Sequence, residues 1–243
     1  MAERFWEIDA LRGIAVIMMV VFHFLFDLAF FTKYGINVSS GVWLYFARIT
    51  AIIFIFLVGV SLTISYSKAA KKQKNLFAKY LKRGIKIFCW GLAITLVTWI
   101  FFRQEFIIFG VLHFIGLSII LAYPLLKYKW QNLALGAFFI AAGFYLKTLA
   151  FNFSWLMWLG FIPKYLYTLD YFPLLPWFGV VLTGLFFGNL FYKNNKRIFR
   201  IADWSKNYAA RFFSFLGRHS LFIYLVHQPA LIGLIYLLTW LTP

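Results

Sequence analysis

The chain has 243 residues, of which 63% are apolar, 23% are aromatic and only 13% are charged. A soluble domain is typically about 45–50% apolar and about 25% charged, and a soluble core of this length could not bury so much apolar surface. The composition excludes a soluble globular enzyme, a disordered chain and a coiled coil, and it indicates an integral membrane protein. The lone cysteine, Cys89, excludes an internal disulfide and a cysteine-based metal site.

Seven apolar segments are long enough to cross a bilayer as helices, since a span needs about 20 residues. The alternating polarity of β-barrel strands is absent from the sequence. Without an internal repeat or linker, residues 1–243 are predicted to form a single domain, an all-α bundle of about seven transmembrane helices. In chain order the predicted spans are 11–31, 43–66, 84–102, 106–126, 133–151, 173–192 and 219–241.

The basic residues predict the orientation of the bundle. With a cytoplasmic N-terminus, 19 of the 24 Lys and Arg residues fall on the cytoplasmic side, as the positive-inside rule requires. The other side carries Lys33, Arg103, Lys147 and Lys164. The N-terminus is therefore predicted inside and the C-terminus outside. The net charge of +17 then reflects topology and anionic lipids, with a nucleotide-phosphate contact in one basic loop as the alternative.

The first predicted helix carries the most ionisable groups within a span. Arg12 and His23 are eleven positions apart, which places them on one stripe of a helix, about 16 Å apart along its axis. Asp27 follows His23 by four residues and Asp9 precedes Arg12 by three, so both belong to the same face. Ionisable groups inside a span are costly and usually functional.

This stripe has side chains suited to group transfer. A carboxylate beside a histidine can orient the ring and raise its basicity, and an arginine at the cytoplasmic end can hold a phosphate. A basic anchor about 16 Å from a base suits coenzyme A, which has a charged head and an extended pantetheine arm. The alternative is that Arg12 reaches lipid headgroups while His23 and Asp27 form a buried pair that holds helices together.

Three more polar groups are expected near the outer side of the bundle. They are Arg48 in the second span, His113 in the fourth and Asp170 at the outer mouth of the sixth. A packed bundle would bring them, with His23 and Asp27, into one outward-facing cavity. As alternatives, His113 could be a satisfied hydrogen bond between helices, and Asp170 could cap or orient the sixth helix.

Prolines mark two irregular segments. Pro173 and Pro176 forbid a regular first turn in the sixth span, just before Trp177. In the last span, His227 and Gln228 precede the helix-bending Pro229, and a kink with local hydrogen bonding is the alternative to a functional role there.

Two segments predict how helices pack and where they lie. Gly184 and Gly188 are expected to allow close packing of the sixth helix. Residues 206–217 have the pattern of an amphipathic interfacial segment ahead of the last helix.

Four segments in order resemble one known family. The opening EIDALRGIAVIMMVVFHFLFDL (7–28) resembles the first helix of the heparan-α-glucosaminide N-acetyltransferase catalytic-domain family, part of the wider transmembrane acyltransferase superfamily. The Arg12–His23 spacing is similar to the signature of the related acyltransferase-3 proteins. Similar segments follow as FGVLHFIGLS (109–118), DYFPLLPWFG (170–179) and LGRHSLFIYLVHQP (216–229).

The resemblance implies an acyl-CoA-dependent O- or N-acyltransferase that moves an acetyl or other acyl group from cytoplasmic acyl-CoA to an extracytoplasmic sugar or glycan. It implies that His23 is the catalytic histidine and that Arg12 belongs to the donor site; the identity of the acceptor does not carry over. From the residues, Asp27 joins His23 as catalytic. The donor site is assigned Arg12, Asp9, His227 and Gln228. The acceptor side is assigned His113, Asp170, Arg48 and Trp177.

The expected co-substrate is acetyl-CoA, with no metal and no nucleic-acid partner, in a multi-pass protein of the plasma membrane that contacts lipids. A homodimer stays open. The alternative function is a proton-coupled transporter or flippase with His23 and Asp27 as a relay, although no inverted repeat is evident. A retinal protein is disfavoured because the last span has no lysine. No G-x-S-x-G or H-E-x-x-H hydrolase motif occurs.

Overall fold

The structure is a computed structural model that describes residues 5–32, 35, 37–70, 75–193 and 196–241. Five basic residues that count toward the predicted orientation lie outside the described residues. They are Arg4, Lys33, Lys71, Lys72 and Lys74.

Helices make up 73% of the structure, which confirms the predicted all-α class. They are α1 (Trp6–Phe31), α2 (Gly41–Ala69), α3 (Leu76–Phe101), α4 (Val111–Ala122), α5 (Trp130–Leu146), α6 (Leu174–Phe191), α7 (Tyr208–Arg218) and α8 (Ser220–Leu241), with 3-10 turns at Tyr123–Leu125 and Met157–Leu159. After α6, the short strands β1 (Tyr192–Lys193) and β2 (Lys196–Arg197) pair antiparallel, Tyr192 opposite Arg197.

Five of the described helices, α1, α2, α3, α6 and α8, are long and apolar enough to cross a membrane. Their outer faces carry the apolar residues that a soluble protein would bury. On α3, for example, Leu92, Leu96 and Ile100 recur at four-residue spacing and are 50%, 57% and 61% exposed, a stripe suited to lipid tails. The chain is therefore an integral membrane protein.

The fourth and fifth predicted spans form shorter helices than expected. The apolar helical stretches Val111–Leu125 and Trp130–Leu146 would be about 22 and 25 Å long at 1.5 Å per residue, against about 30 Å of hydrocarbon. The fourth helix is short because residues 106–110 leave the helical path. There Ile107 is bonded to α3 through its carbonyl oxygen, which accepts from Thr95 Oγ1, and its N–H, which donates to Thr98 Oγ1.

The chain divides into two compact units. The first comprises Met1–Phe54 and Ile201–Pro243, and in it α1 packs against α7 and α8. A Cβ added at Gly13 of α1 would collide with the carbonyl oxygen of Phe213, and one at Gly217 of α7 with that of Asp9. The two helices thus meet backbone to backbone, which positions the N-terminal half of the α1 stripe.

The second unit is Ile55–Arg200. Close packing at the two glycines of α6 is confirmed, because a Cβ at Gly184 would collide with Phe56 O and one at Gly188 with Thr63 Oγ1, both on α2. Fully buried Leu182 and Leu185 lie on the same stretch of α6. The predicted irregular first turn also occurs, with Leu175 in an extended conformation inside the helix bounds.

Candidate functional site

The polar stripe predicted from the sequence lies on one continuous helix, α1. The helix runs without a break from Trp6 to Phe31, so Arg12 and His23 lie about 16 Å apart along one helix. Near the N-terminal end of α1, Arg12 Nη1 donates a 3.1 Å hydrogen bond to Asp9 Oδ1. A carboxylate in the first helical turn is favourable near the positive end of the helix dipole, and here it also orients the guanidinium.

Further along the stripe, Asp27 is completely buried. Its Oδ1 accepts a 2.7 Å hydrogen bond from the side-chain amide of Gln228 on α8. The i, i+4 spacing predicted that Asp27 would orient the ring of His23 directly, but its bonded partner is Gln228. The carboxylate therefore ties α1 to α8 instead of acting only along α1.

His23 faces a second histidine. Its ring centroid is 4.9 Å from that of His227 on α8, with an angle of 63° between the ring planes. His227 is 8% exposed, and its Nδ1 lies 2.7 Å from the carbonyl oxygen of Tyr224. Since a carbonyl oxygen only accepts, Nδ1 carries the proton and Nε2 of the neutral ring presents a lone pair.

His23, Asp27, His227 and Gln228 form what we call the His–Asp cluster. Among the residues that the structure describes, four of its buried atoms have no hydrogen-bond partner. They are His23 Nδ1, Asp27 Oδ2, His227 Nε2 and Gln228 Oε1. Buried polar atoms are nearly always paired, because leaving one unpaired costs about 1–3 kcal/mol. Four such atoms in one cluster are unusual for a folded protein and make the cluster the candidate site.

The sequence singled out all four members of the cluster but not their contacts. The sequence marks His227 and Gln228 as polar residues before a proline and predicts them in the donor site with Arg12 and Asp9. The Asp27–Gln228 bond joins residues 201 positions apart. No local pattern signals such a pair, since it depends on how α1 and α8 pack.

Arg48, the remaining predicted site residue of the first unit, lies on α2 with an exposed side chain. His113, Asp170 and Trp177 belong to the second unit. The expected single cavity shared by Asp27, His23 and these outer-side residues stays a prediction.

In the second unit, His113 is 2% exposed and both of its ring nitrogens have protein neighbours. Its Nδ1 accepts a 3.2 Å hydrogen bond from the backbone N–H of Gly110, and its Nε2 lies 3.4 Å from Thr95 Oγ1. The ring stands between Phe88 and Phe109, with centroids 5.1 and 5.6 Å away. This arrangement joins the start of α4 to α3.

Asp170 also acts on the start of α4. Its Oδ2 accepts a 3.0 Å hydrogen bond from the N–H of Val111, the first residue of that helix. In the loop before α6, loss of hydration raises the pKa of the Asp170 carboxyl to about 6, and the backbone N–H groups of Val111 and Tyr171 oppose the rise. The alternative to an acceptor-side role was a cap on the sixth helix, whereas the carboxylate bonds the N-terminus of the fourth.

Trp177 lies on the first turns of α6 and is 6% exposed. Its ring packs against Phe172, with centroids 4.9 Å apart. The hydroxyl of Tyr171 donates a 2.6 Å hydrogen bond to the carbonyl oxygen of Met157. The segment that precedes α6 is thus held by aromatic packing and hydrogen bonds within the second unit.

Comparison with known proteins identifies the family. Residues 4–229 match the model of the family described as "Heparan-alpha-glucosaminide N-acetyltransferase, catalytic". The chain belongs to this family. No curated protein and no solved structure matches the chain.

Membership of the heparan-alpha-glucosaminide N-acetyltransferase family implies acetyltransferase activity, and the family suggests acetyl-CoA and glycan substrates. The matched range includes every site residue predicted from the sequence, from Asp9 to Gln228. The His–Asp cluster draws its members from the two ends of that range, which α1 and α8 bring together. The relation to acyltransferase-3 proteins stays a resemblance of the Arg12–His23 spacing.

Proposed function

We propose that this protein moves an acetyl or other acyl group from cytoplasmic acyl-CoA to an amine or hydroxyl of an extracytoplasmic sugar or glycan. The observation that carries the proposal is the His–Asp cluster, a set of buried unpartnered nitrogen and oxygen atoms in a chain of an acetyltransferase family. Transfer of this kind needs a base inside the bundle, because the acceptor must lose a proton as it attacks.

In the proposed reaction, His23 is the general base. It takes the proton of the acceptor N–H or O–H while the acceptor nitrogen or oxygen bonds to the thioester carbonyl carbon. The carbon–sulfur bond then breaks and coenzyme A leaves as the thiol. A covalent acyl-histidine route would use the same ring as nucleophile. Asp27, held by Gln228, places a negative charge beside the rings and stabilises the imidazolium that forms.

The donor site would extend along α1. A CoA phosphate is bound by the Arg12 guanidinium, which Asp9 orients from one turn away. The pantetheine arm spans the apolar stretch of about 16 Å between Arg12 and His23. His227 and Gln228, next to His23, then contact the thioester end of the donor.

The orientation of the bundle is part of the proposal. We retain seven spans, a cytoplasmic N-terminus and a plasma-membrane location, supported by the 19 of 24 basic residues on one side. In this arrangement Arg12 lies at the cytoplasmic surface, where acyl-CoA is available, and the outer end of α1 faces the acceptor.

Arg48, His113, Asp170 and Trp177 are retained on the acceptor side. Because His113 and Asp170 already bond backbone groups at the start of α4, their contribution is to hold that loop in shape. Arg48 is an exposed residue whose guanidinium suits polar contacts with a sugar, whereas the buried ring of Trp177, packed against Phe172, supports the segment before α6.

The test is transfer of labelled acetyl groups from acetyl-CoA to amino-sugar and hydroxyl acceptors by the purified protein. The variant His23→Ala should lower transfer by at least about 100-fold, the lower end of what a general base contributes. His219→Ala is the matched control, because His219 is an exposed histidine at the end of α7. Full activity of His23→Ala would remove His23 as the base.

A proton-coupled transporter or flippase is the second candidate, favoured by the complete burial of Asp27 and by the contact of His23 with His227 in apolar helices. Proteoliposomes that take up a sugar under a pH gradient without any acyl donor would support it. Binding of CoA at micromolar concentration would instead favour the transferase.

A further inference from the structure

The protonation of His227 is set by the backbone of its own helix. The ring lies 2.7 Å from the carbonyl oxygen of Tyr224 through Nδ1, so Nδ1 donates in both the neutral and the charged ring. The remaining nitrogen, Nε2, is buried without a partner among the described residues. His227 is therefore prepared to accept a proton at one defined atom, and the Tyr224 carbonyl stabilises the imidazolium once the proton arrives.

His23 is the neighbour from which such a proton can come. The two ring centroids are 4.9 Å apart, and repulsion between two imidazoliums this close favours one proton for the pair over two. The charge balance supports one proton, because Asp27 follows His23 by one helical turn and is bonded to Gln228, the residue after His227. The cluster thus combines two bases with one compensating carboxylate.

We infer that His227 is a second catalytic residue, which receives the acceptor proton from His23 and delivers it to the leaving CoA sulfur. The inference rests on the proposed transferase function and moves His227 from donor binding to proton transfer. In the full step, the acceptor atom bonds to the thioester carbon and its proton passes to His23. The carbon–sulfur bond breaks, the proton moves to His227 Nε2 and then to the thiolate, and both rings return to the neutral state.

Two rings suit this reaction better than one. The group that deprotonates the acceptor must contact the acceptor nitrogen or oxygen, whereas the group that protonates the thiolate must contact sulfur on the donor. The acceptor and the donor approach from opposite sides of the membrane in the proposed function. In a relay between α1 and α8 each ring serves one substrate. Because His227 Nδ1 stays bonded to the Tyr224 carbonyl, Nε2 both receives the proton from His23 and releases it to the sulfur, so the thiolate must reach the same edge of the ring.

The test uses two substitutions of His227, and in each of them a side-chain amide takes the position of one of the two ring nitrogens. In His227→Asn the side-chain amide can still donate to the Tyr224 carbonyl but has no basic nitrogen. In His227→Gln the amide lies near the position of Nε2, is not basic, and gives up the bond to Tyr224. Under the relay, both variants should lower kcat of acetyl transfer by about 100-fold or more, with KM for acetyl-CoA unchanged within about threefold.

The other outcomes each contradict the relay in a recognisable way. Wild-type kcat in His227→Asn with a loss in His227→Gln would show that only the bond to Tyr224 matters. A raised KM with wild-type kcat would show a donor contact alone. His219→Asn is the matched control, since His219 Nδ1 also lies close to a backbone carbonyl, Phe215 O at 2.9 Å, but on an exposed residue; it should retain wild-type kcat.

A measurement on the wild-type protein keeps the inference testable if the variants do not fold. Nitrogen NMR of the ¹⁵N-histidine-labelled protein should show His227 with a proton on Nδ1 and none on Nε2 in the resting state. The opposite tautomer would overturn the relay. Wild-type protein that transfers no acetyl group would overturn the proposed function and the relay with it, whereas active wild type with active His227→Asn would overturn the relay alone.

Discussion

The side-chain amide of Gln228 donates a 2.7 Å hydrogen bond to the carboxylate of Asp27, across 201 positions of sequence. Asp27 is completely buried, so this bond supplies one of the few ways to compensate a carboxylate inside a membrane bundle. The bond also joins the two chain segments that carry the histidines of the cluster, since His23 precedes Asp27 by one helical turn and His227 directly precedes Gln228.

Removing the amide should destabilise the first unit. Gln228→Ala removes the donor to Asp27 Oδ1, so that neither carboxylate oxygen keeps a hydrogen-bond partner among the described residues. We expect the free energy of unfolding to fall by about 1–3 kcal/mol. Thermal and denaturant unfolding in detergent would measure it. Asp27→Asn is the matched variant, because its amide oxygen still accepts from Gln228 and most of the stability should remain. Unchanged stability of Gln228→Ala would show that the bond contributes nothing.

Loss of Arg12, near the N-terminal end of α1, should weaken binding of the proposed donor. A hydrogen bond between a guanidinium and a phosphate is worth about 1.5–3 kcal/mol, so Arg12→Ala should raise KM for acetyl-CoA by about 10- to 100-fold. Arg12→Lys should be intermediate, since lysine keeps the charge without the planar fork. Arg211→Ala, at an exposed position of α7, removes the same charge elsewhere. Equal effects of the Arg12 and Arg211 variants would point to general attraction of an anion.

Adding one methyl group should separate α1 from α7. A Cβ at Gly13 collides with the carbonyl oxygen of Phe213, and because backbone cannot yield as a side chain can, Gly13→Ala should cost about 1–3 kcal/mol. Gly233 of α8 has open space where a Cβ would be placed. Gly233→Ala should therefore be neutral or stabilise by about 0.5–1 kcal/mol. Melting temperatures of the two variants in detergent would compare them, and similar values would contradict the contact.

The ionisation of Asp170 should make stability depend on pH. Loss of hydration raises the pKa of this carboxyl to about 6 from its ordinary 3.8. Between these values the folded protein keeps a proton that the unfolded chain has released, so the free energy of unfolding falls as pH rises from about 4 to about 6 and then levels off.

Asp170→Asn should flatten this profile, because an amide stays neutral while its oxygen can still accept from Val111 N–H. Asp170→Ala should lose the cap on α4, about 0.5–2 kcal/mol. Unfolding of the wild type and both variants at pH 4–8 would measure the effect. A wild-type slope that persists in Asp170→Asn would assign the pH dependence to another group.

Sequence periodicity was sufficient for much of the site. The positions of Arg12, His23 and Asp27 on one face follow from 3.6 residues per turn, and α1 is an unbroken helix. The fourth span shows the limit of that reasoning. Its apolar run begins at residue 106, but the helix begins only at Val111, where a carboxylate 59 positions away bonds the first N–H. Hydropathy indicates that a segment is apolar, but it does not indicate which partners the backbone groups of that segment bond.

The sequence by itself determined the membrane class, the helical content and the residues of the polar stripe, because hydrophobicity and helical periodicity are local properties. Only the tertiary structure decided that Asp27 bonds Gln228 and that His23 meets His227. These contacts depend on which faces of α1 and α8 pack together. A buried polar group takes the partner that packing places within reach, and sequence spacing along one helix does not specify it.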